Sequence, residues 1–237
     1  MNGKKKKILV VNPNSSEQMT EDIKHTVQEL LSTYTVFETD VVRMPGSPIV
    51  LESFCDYMTA GSEVCKYIRE HDISSRYSAV VLACFGDPQL QAVKEICPVP
   101  VIGIAEAAMS IAMLQGYRFS ILAASSKAKP MMEFLVKSYG LESRCASVET
   151  FDLGIEEMMG NHERMLSLVL EKAGAAVGKG AETVILGCAG MTSVAREAGK
   201  QLGIPILDPN VAGICEAAAM AIGSFKISKV GLYQQMG

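Results

Sequence analysis

The sequence predicts an α/β protein in which parallel strands alternate with helices. Two observations support this: short apolar strand patterns alternate with amphipathic helical patterns along the chain, and one composite pattern occurs twice. In that pattern an apolar strand ends in a cysteine and is followed by a helix, a proline, a short apolar strand and Glu-Ala-Ala. We therefore expect two pseudo-symmetric parallel-sheet α/β domains, flavodoxin-like halves, with the active site in the cleft between them.

The first half of the chain opens on a run of apolar β-forming residues. Ser15 and Ser16 then provide N-caps for a helix with acidic residues in its first turn and apolar residues at helical spacing. A loop rich in proline and glycine, Met44 to Pro48, follows the second strand. The patterns predict strands at residues 6–12, 36–42, 77–84 and 99–104, and helices at residues 15–34, 54–71 and 88–97.

The second half repeats this plan. The repeat matches Cys84 with Cys188, and upstream of them it matches Ile8 with Ile121 if loops differ in length. The patterns predict strands at residues 118–126, 145–150, 182–188 and 204–207, and helices at residues 129–140, 162–180 and 192–203. The first domain is expected to contain residues 1–104 and 207–237, and the second domain residues 105–206.

Composition and charge exclude several classes of function. Of 237 residues, 49% are apolar and 20% are charged, which is typical of a soluble globular protein. The formal net charge is −4, and the basic run Lys4 to Lys7 directly precedes a strand, which argues against nucleic acid as a partner. No signal-peptide core or membrane-spanning run is present in the sequence. We expect a cytoplasmic protein with no membrane partner.

The seven cysteines form neither a CxxC motif nor a zinc-like cluster with the three histidines, so reduced thiols are expected. Cys84 and Cys188 stand between a strand and a helix, at the carboxyl ends of strands where open parallel sheets bind ligands. Backbone N–H groups and the helix dipole there lower a thiol's pKa. Two such thiols on opposite sides of a carbon can remove a proton from one face and return one to the other. The remaining cysteines are predicted to be structural: Cys55, Cys65, Cys97, Cys145 and Cys215.

Four motifs in order resemble the aspartate/glutamate/hydantoin racemase family, and within it the hydantoin and allantoin racemase branch. They are "ILVVNPNSSEQMT", "ACFGDPQLQAVKE" around Cys84, "PVIGIAEAA", and "ILGCAGM" around Cys188. The resemblance covers nearly the whole chain. It implies an isomerase with a small-molecule substrate between two similar domains, no metal, no pyridoxal phosphate or other cofactor, and a two-base mechanism through Cys84 and Cys188.

The residues after each cysteine depart from the amino-acid racemases of this family. Glutamate racemases follow the first cysteine with Asn-Thr and the second with Thr-His, whereas this chain has Phe85-Gly86 and Ala189-Gly190. Such a pocket suits a neutral five-membered ring, as in hydantoin or allantoin, better than a zwitterion. Removing the C5 hydrogen of that ring gives an enolate, whose charge requires preorganised donors. The predicted substrate-binding residues are Asn14, Ser15, Phe85, Gly86, Ser125, Ser126, Ala189 and Gly190.

Several other polar residues have simpler structural interpretations. Asp87 is expected to cap the helix that begins at Pro88. Glu106 and Glu216 are expected at the starts of corresponding helices, where an acid favours the dipole. The three histidines are interpreted as solvated: His25, His71 and His162.

Alternative functions stay open at this point. Within the family, the same enolate also serves amino-acid racemases, maleate isomerases and arylmalonate decarboxylases. Outside it, two similar α/β domains around a cleft also describe a non-catalytic small-molecule receptor, and two cysteines across a cleft could belong to a thiol redox protein. The resemblance further implies a homo-oligomer.

Overall fold

The computed structural model describes residues 6–33, 37–151, 161–188 and 194–234, without the side chains of residues 31–33. The chain folds into two compact units: the first is Met1–Ile104 with Gly213–Gly237, and the second is Ala105–Ala212. The sequence-based division returns to the first domain at residue 207, whereas the folded chain returns to it at Gly213. The difference arises because Leu207 lies in the last strand of the second unit's sheet.

The first unit is built on a four-stranded parallel sheet. Its strands are β1 (Lys6–Asn12), β2 (Phe37–Arg43), β3 (Ala79–Leu82) and β4 (Val101–Gly103). Its helices are α1 (Glu17–Thr33), α2 (Phe54–Glu70), α3 (Ile73–Arg76) and α4 (Leu90–Ile96). Every residue of β3 is buried, as expected for a parallel strand with both faces covered.

The second unit contains the corresponding sheet. Its strands are β5 (Phe119–Ala123), β6 (Cys145–Thr150), β7 (Thr183–Leu186) and β8 (Ile206–Leu207). Its helices are α6 (Ala128–Ser138), α7 (His162–Gly178) and α8 (Ala195–Leu202). Helices α5 (Ile104–Gln115) and α9 (Pro209–Ile222) contain the two points at which the chain is divided. No helix in the described ranges is both long and apolar enough to span a bilayer.

The two sheets have the same topology, which confirms the predicted pseudo-symmetry. The strand orders are β2-β1-β3-β4 and β6-β5-β7-β8, each placing the second strand outside the first and the third and fourth on its other side. This is the flavodoxin-like order. It confirms the α/β fold of two parallel-sheet halves.

The strand register corrects one detail of the predicted repeat. Both cysteines follow the last residue of the third strand by two positions, and those last residues, Leu82 and Leu186, pair with Val11 and Leu122. Val11 therefore corresponds to Leu122, and the predicted match of Ile8 with Ile121 is wrong by two positions. A slip of two residues keeps every side chain on the same face, so the apolar pattern could not reveal it.

The two Glu-Ala-Ala segments also occupy different places. Glu106 lies in the first turn of α5, as predicted. Glu216 lies well inside α9, whose first turn contains no acidic residue. The carboxylate at the start of α9 belongs to Asp208 instead, which precedes the helix. The helices therefore begin differently although the strands before them correspond.

A charge cluster joins the edge of the first sheet to the segment that precedes β3. Asp40 on β2 lies 2.8 Å from Lys7 Nζ and accepts a 2.6 Å hydrogen bond from the Tyr77 hydroxyl. Burial acts to raise the pKa of Asp40, but the hydrogen bonds from Lys7 and Tyr77 and the charges of Lys7 and Arg76 outweigh it, so the pKa lies below the ordinary value for an aspartate. Burial and the Asp40 carboxylate both raise the pKa of Tyr77.

Replacing Asp40 with asparagine should reduce stability at neutral pH by about 1 kcal/mol or less, because the carboxylate is partly exposed and its ion pairs are screened. A lowered folded-state pKa contributes stability above the unfolded pKa, and that contribution is lost as pH falls through the folded value. Urea unfolding of Asp40→Asn and the parent protein should therefore differ at pH 7, and the difference should shrink as pH falls below the ordinary pKa of an aspartate. Glu142→Gln, which changes an exposed carboxylate, is the control. A difference in unfolding free energy between Asp40→Asn and the parent that does not vary with pH would show that the Asp40 charge does not stabilise the fold.

Candidate active site

Cys84 and Cys188 occupy equivalent positions at the carboxyl edges of the two sheets. The residue before each cysteine donates its N–H to the first strand of its sheet: Ala83 to the Val11 carbonyl and Gly187 to the Leu122 carbonyl, both at 2.8 Å. Both cysteines are half-buried. Each thiol therefore emerges where its sheet's backbone pairing ends, which is the edge at which parallel sheets bind ligands.

Gly187 is a close-approach position in the second sheet. A Cβ atom there would lie 2.7 Å from the carbonyl oxygen of Leu122, which also accepts the Gly187 N–H. A side chain would push the strand end away from β5. Glycine before Cys188 thus allows the chain to stay paired up to the cysteine.

The loop after Cys84 has an uncommon backbone. Asp87 has φ +43° and Gln89 has φ +53°; among the described residues, Ser224 is the remaining non-glycine residue with positive φ. The Asp87 N–H donates to the Cys84 carbonyl at 2.9 Å, and α4 begins only at Leu90. Two left-handed residues so close together cost energy and are found mainly where function constrains the chain.

Asp87 does not cap α4 as predicted. Gln89 is the N-cap residue of that helix, and it makes no side-chain capping bond. The Asp87 carboxylate instead lies against Gly103, where a Cβ atom would be 2.4 Å from its Cγ. The left-handed backbone at Asp87 turns its side chain toward the end of β4.

One aromatic side chain from a separate helix packs against the Cys84 loop. Phe85 is only 2% exposed, so its side chain belongs to the core. Tyr57 of α2 packs against the Cα of Gly86: a Cβ there would lie 2.2 Å from Tyr57 Cζ. Phe54, which contacts Tyr57 edge to face with ring centroids 6.3 Å apart, is 58% exposed. Sequence reasoning missed both rings because they come from a separate helix.

Asn14 and Ser15 form a hydrogen-bonded loop at the end of β1. Asn14 is 8% exposed; its Oδ1 accepts from Asn12 Nδ2 at 2.8 Å and from the Ser16 N–H at 2.9 Å. The Ser16 hydroxyl caps α1 by accepting from the Met19 N–H. Ser15 is half-buried and its N–H donates to the Pro48 carbonyl. Ser16 is thus the N-cap of α1, and Ser15 retains a hydroxyl not used in capping.

Ser47 is a further polar group that sequence reasoning did not single out. It lies in the predicted proline- and glycine-rich loop, which is attached to the β1 loop by the bond from the Met44 N–H to the Asn14 carbonyl. Its hydroxyl is buried and has no hydrogen-bond partner within the described structure. A serine in such a loop carries no sequence signal of burial, because loops are usually exposed.

Ser125 and Ser126 hold the same place in the second sheet as Asn14 and Ser15 hold in the first. Both pairs begin three residues after the paired strand residues Leu122 and Val11. Ser125 is half-buried and its hydroxyl accepts from the Ala128 N–H at 3.3 Å, while Ser126 is exposed. The remaining predicted binding residues, Ala189 and Gly190, lie outside the described residues.

The cysteines predicted to be structural differ in exposure. Burial raises the pKa of Cys97 and of Cys145 to about 11, and it also raises the pKa of Cys65. Desolvation of its sulfur and the nearby Glu216 carboxylate raise the pKa of Cys215, although that residue as a whole is exposed. These four thiols therefore stay protonated at neutral pH. Cys55 and Cys215 are exposed.

Two of the histidines have carboxylate partners that the sequence did not reveal. His25 Nδ1 lies 3.9 Å from Glu29 Oε2 within α1. His162 Nε2 lies 3.1 Å from Glu197 Oε2, which joins α7 to α8. Within the described ranges, no group of three or more His, Cys, Asp and Glu side chains is arranged to hold a metal ion.

Comparison with known proteins relates this arrangement to one group of enzymes. The family model for Asp/Glu/Hydantoin racemase matches residues 8–217. Hydantoin racemase of Paenarthrobacter aurescens is 33% identical over 230 residues, covering 97% of both chains. Allantoin racemase from Klebsiella pneumoniae has a similar structure, with a TM-score of 0.89 and 28% identity over 98% of this chain and 94% of that chain. Allantoin racemase from Pseudomonas fluorescens gives a TM-score of 0.88 at 26% identity over 97% of both chains.

Replacing Gly86 with alanine should destabilise the protein by about 1–3 kcal/mol, because the new methyl group would overlap the Tyr57 ring. The thermal unfolding midpoint should fall by several degrees. Gly174→Ala, a helical glycine with open space around it, should leave the midpoint unchanged or raise it. A double variant, Gly86→Ala with Tyr57→Ala, should be less destabilised than the sum of the single changes; strict additivity would show that the two residues are not in contact.

Proposed function

Because the chain belongs to the Asp/Glu/hydantoin racemase family, we propose that it inverts C5 of 5-substituted hydantoins or of allantoin by proton transfer between Cys84 and Cys188, without a cofactor. It is an isomerase of the hydantoin/allantoin racemase type. The similarity to a hydantoin racemase and to allantoin racemases supports that class over nearly the whole chain. The two-cysteine mechanism and the substrate are the proposed parts.

The equivalence of Cys84 and Cys188 is the observation on which the mechanism rests. The two thiols follow the corresponding strands β3 and β7 by the same number of residues. A racemase must accept either enantiomer, so it needs one acid/base group for each face of the reacting carbon. A duplicated fold meets this requirement with two groups of the same chemical type and similar intrinsic acidity.

The proton transfers balance in each direction. The thiolate of one cysteine takes the C5 proton, and the electron pair of the C5–H bond moves into the adjacent carbonyl to form an enolate. The thiol of the other cysteine then delivers its proton to the opposite face of C5. The product leaves with inverted C5, and the two sulfur atoms have exchanged protonation states. The reverse reaction starts from that exchanged state.

Donors to the enolate oxygen are proposed from the loops around each cysteine. They include the backbone amides of Gly86 and Gly190, with Asn14 and Ser15 in one unit and Ser125 and Ser126 in the other. The half-buried hydroxyls of Ser15 and Ser125 support this assignment. Preorganised donors at a developing oxyanion contribute about 2.7–4 kcal/mol each in well-studied enzymes.

The residues after each cysteine favour a neutral ring as substrate over the charged substrates of other enzymes in the family. Phe85-Gly86 and Ala189-Gly190 stand where glutamate racemases carry polar side chains suited to an amino acid, and Phe85 is buried in the core. A substrate carboxylate would therefore lack side-chain partners directly after either cysteine. This argues against a free amino acid, maleate or a substituted malonate as substrate, and paired acid/base cysteines are not needed by a passive receptor.

The protein should abolish the optical rotation of at least one of L-5-benzylhydantoin, L-5-methylhydantoin and (S)-allantoin faster than buffer alone, since hydantoins racemise slowly unaided. Polarimetry at neutral pH measures the rate, and both enantiomers of the active substrate should reach zero rotation. Loss of rotation with aspartate or glutamate but with none of the three rings would show that the substrate class is wrong.

Cys84→Ser and Cys188→Ser should each reduce racemisation about 10²- to 10⁴-fold in both directions, because a hydroxyl is far too weakly acidic to replace a thiol at neutral pH. In deuterated water each variant should still exchange the C5 hydrogen of one enantiomer, and the two variants should prefer opposite enantiomers. NMR follows the exchange. Cys55→Ser, which removes an exposed thiol, is the control. Unchanged racemisation in both active-site variants would exclude the mechanism.

A further inference from the structure

We propose that Asp87 is a positioning residue: its carboxylate takes the place of the missing side chain at Gly103, caps the start of α5, and thereby holds the Cys84 loop in place. The effect on activity rests on the proposed function, whereas the capping contact rests on geometry alone. The strands that precede α5 and α9 provide the first observation.

Gly103 and Asp208 occupy corresponding positions in the two sheets. Ile102 on β4 pairs with Val81, and Leu207 on β8 pairs with Ile185. Because Val81 and Ile185 correspond through the register of β3 and β7, the residues that follow Ile102 and Leu207 correspond as well. Those residues are Gly103 and Asp208. Gly103 immediately precedes α5, which begins at Ile104, and Asp208 immediately precedes α9, which begins at Pro209.

Asp208 shows what this position does when it carries a side chain. Its Oδ1 accepts from the Asn210 N–H at 2.8 Å and from the Val211 N–H at 3.3 Å. These are the second and third amides of α9, which a helix N-cap ordinarily binds. Asp208 is therefore the N-cap of α9, and its carboxylate satisfies amides that have no partner inside the helix.

A carboxylate is also present at Gly103, but another residue provides it. A Cβ atom on Gly103 would lie 2.4 Å from Asp87 Cγ and 2.5 Å from each Asp87 carboxylate oxygen. The Asp87 carboxylate thus occupies the space that the side chain of an N-cap residue would fill. Asp87 is 5% exposed, and a buried carboxylate needs hydrogen-bond donors or positive charge. The amides and dipole at the start of a helix provide both.

The same residue is tied to the backbone of Cys84. The Asp87 N–H donates to the Cys84 carbonyl at 2.9 Å. The amide of Asp87 thus binds the start of the Cys84 loop, while its carboxylate contacts the end of β4 at Gly103. The backbone of Asp87 is left-handed, with φ +43°. Aspartate and asparagine tolerate this conformation better than other residues with a side chain. Capping from residue 87 therefore orients the loop whose first residue is the proposed acid/base.

Three substitutions separate the contributions. Asp87→Asn keeps an oxygen that can cap and tolerates the left-handed backbone, so kcat should stay within about threefold of the parent value. Asp87→Gly accepts the backbone but removes the cap. It should lower the thermal unfolding midpoint and reduce kcat about 10- to 100-fold with KM changed less than threefold, because misplacement by about 1 Å costs about 10²-fold in rate.

The double variant Asp87→Gly with Gly103→Asp moves the carboxylate to the position it has in the second unit. It should recover the unfolding midpoint but not kcat, because the helix is capped again while the Cys84 loop is no longer tethered. Asp72→Gly is the matched control: Asp72 caps α3 by accepting from the Ser75 N–H, away from the cysteine loop. It should lower the midpoint without changing kcat.

Each other result would overturn the proposal. Parent-like kcat in Asp87→Gly, or recovery of kcat in the double variant, would show that Asp87 does not position Cys84. No recovery of the midpoint would exclude the cap. A loss of kcat in Asp87→Asn equal to that in Asp87→Gly would show that Asp87 acts through its charge and not as a helix cap.

A separate readout keeps this test independent of the proposed reaction. In a Cys55→Ser and Cys215→Ser background, which removes both exposed thiols, iodoacetamide should alkylate Cys84 at least threefold faster after Asp87→Gly, since an untethered loop opens more often. If the parent protein racemises none of the three rings but alkylation and stability respond as expected, the proposed function fails and the positioning contact stands. Unchanged alkylation would overturn the tether.

Discussion

Backbone pairing between the first and third strands of each sheet is the constraint on which the candidate site depends. Val11 pairs with Leu82, and Leu122 pairs with Leu186, up to the last residues of β3 and β7. Because those strands are buried on both faces, displacing either one would break ladder hydrogen bonds inside the core. The position of each cysteine is therefore determined by the backbone hydrogen bonds of the residues directly before it, and the duplication of the sheet duplicates the thiol.

The cysteine loop shows how local strain is held by tertiary contacts. A left-handed Asp87 would be unfavourable in an isolated peptide, but here its N–H, its carboxylate and the neighbouring Gly86 all have specific contacts. Tyr57 fills the space beside Gly86, and Gly103 leaves space for the Asp87 carboxylate. The two glycines are thus explained by close approach of other side chains, not by their own backbone angles.

The chain distinguishes its cysteines by environment. Burial keeps the pKa of Cys65, Cys97 and Cys145 above the ordinary value, which suits packing but not acid/base chemistry. Cys84 and Cys188 stand instead at strand ends. In the proposed mechanism, their equivalent positions in the two sheets supply two acid/base groups of the same kind. A reversible inversion requires two such groups, whereas a reaction at a single face of the carbon requires one.

The sequence by itself determined the α/β class, the duplicated halves and most strand and helix positions. It also determined that Cys84 and Cys188 hold equivalent positions after corresponding strands, because these features depend on local periodicity and on a pattern that occurs twice. Tertiary structure alone decided which residues pack against the loop that begins at Cys84. Tyr57 and Gly103 are distant from it along the chain, and Phe85, its neighbour in sequence, points into the core. The two-residue error in matching Ile8 also needed the sheet, since strand periodicity repeats every two residues. Contacts between separate elements leave no periodic signal in the sequence, so only the folded chain reveals them.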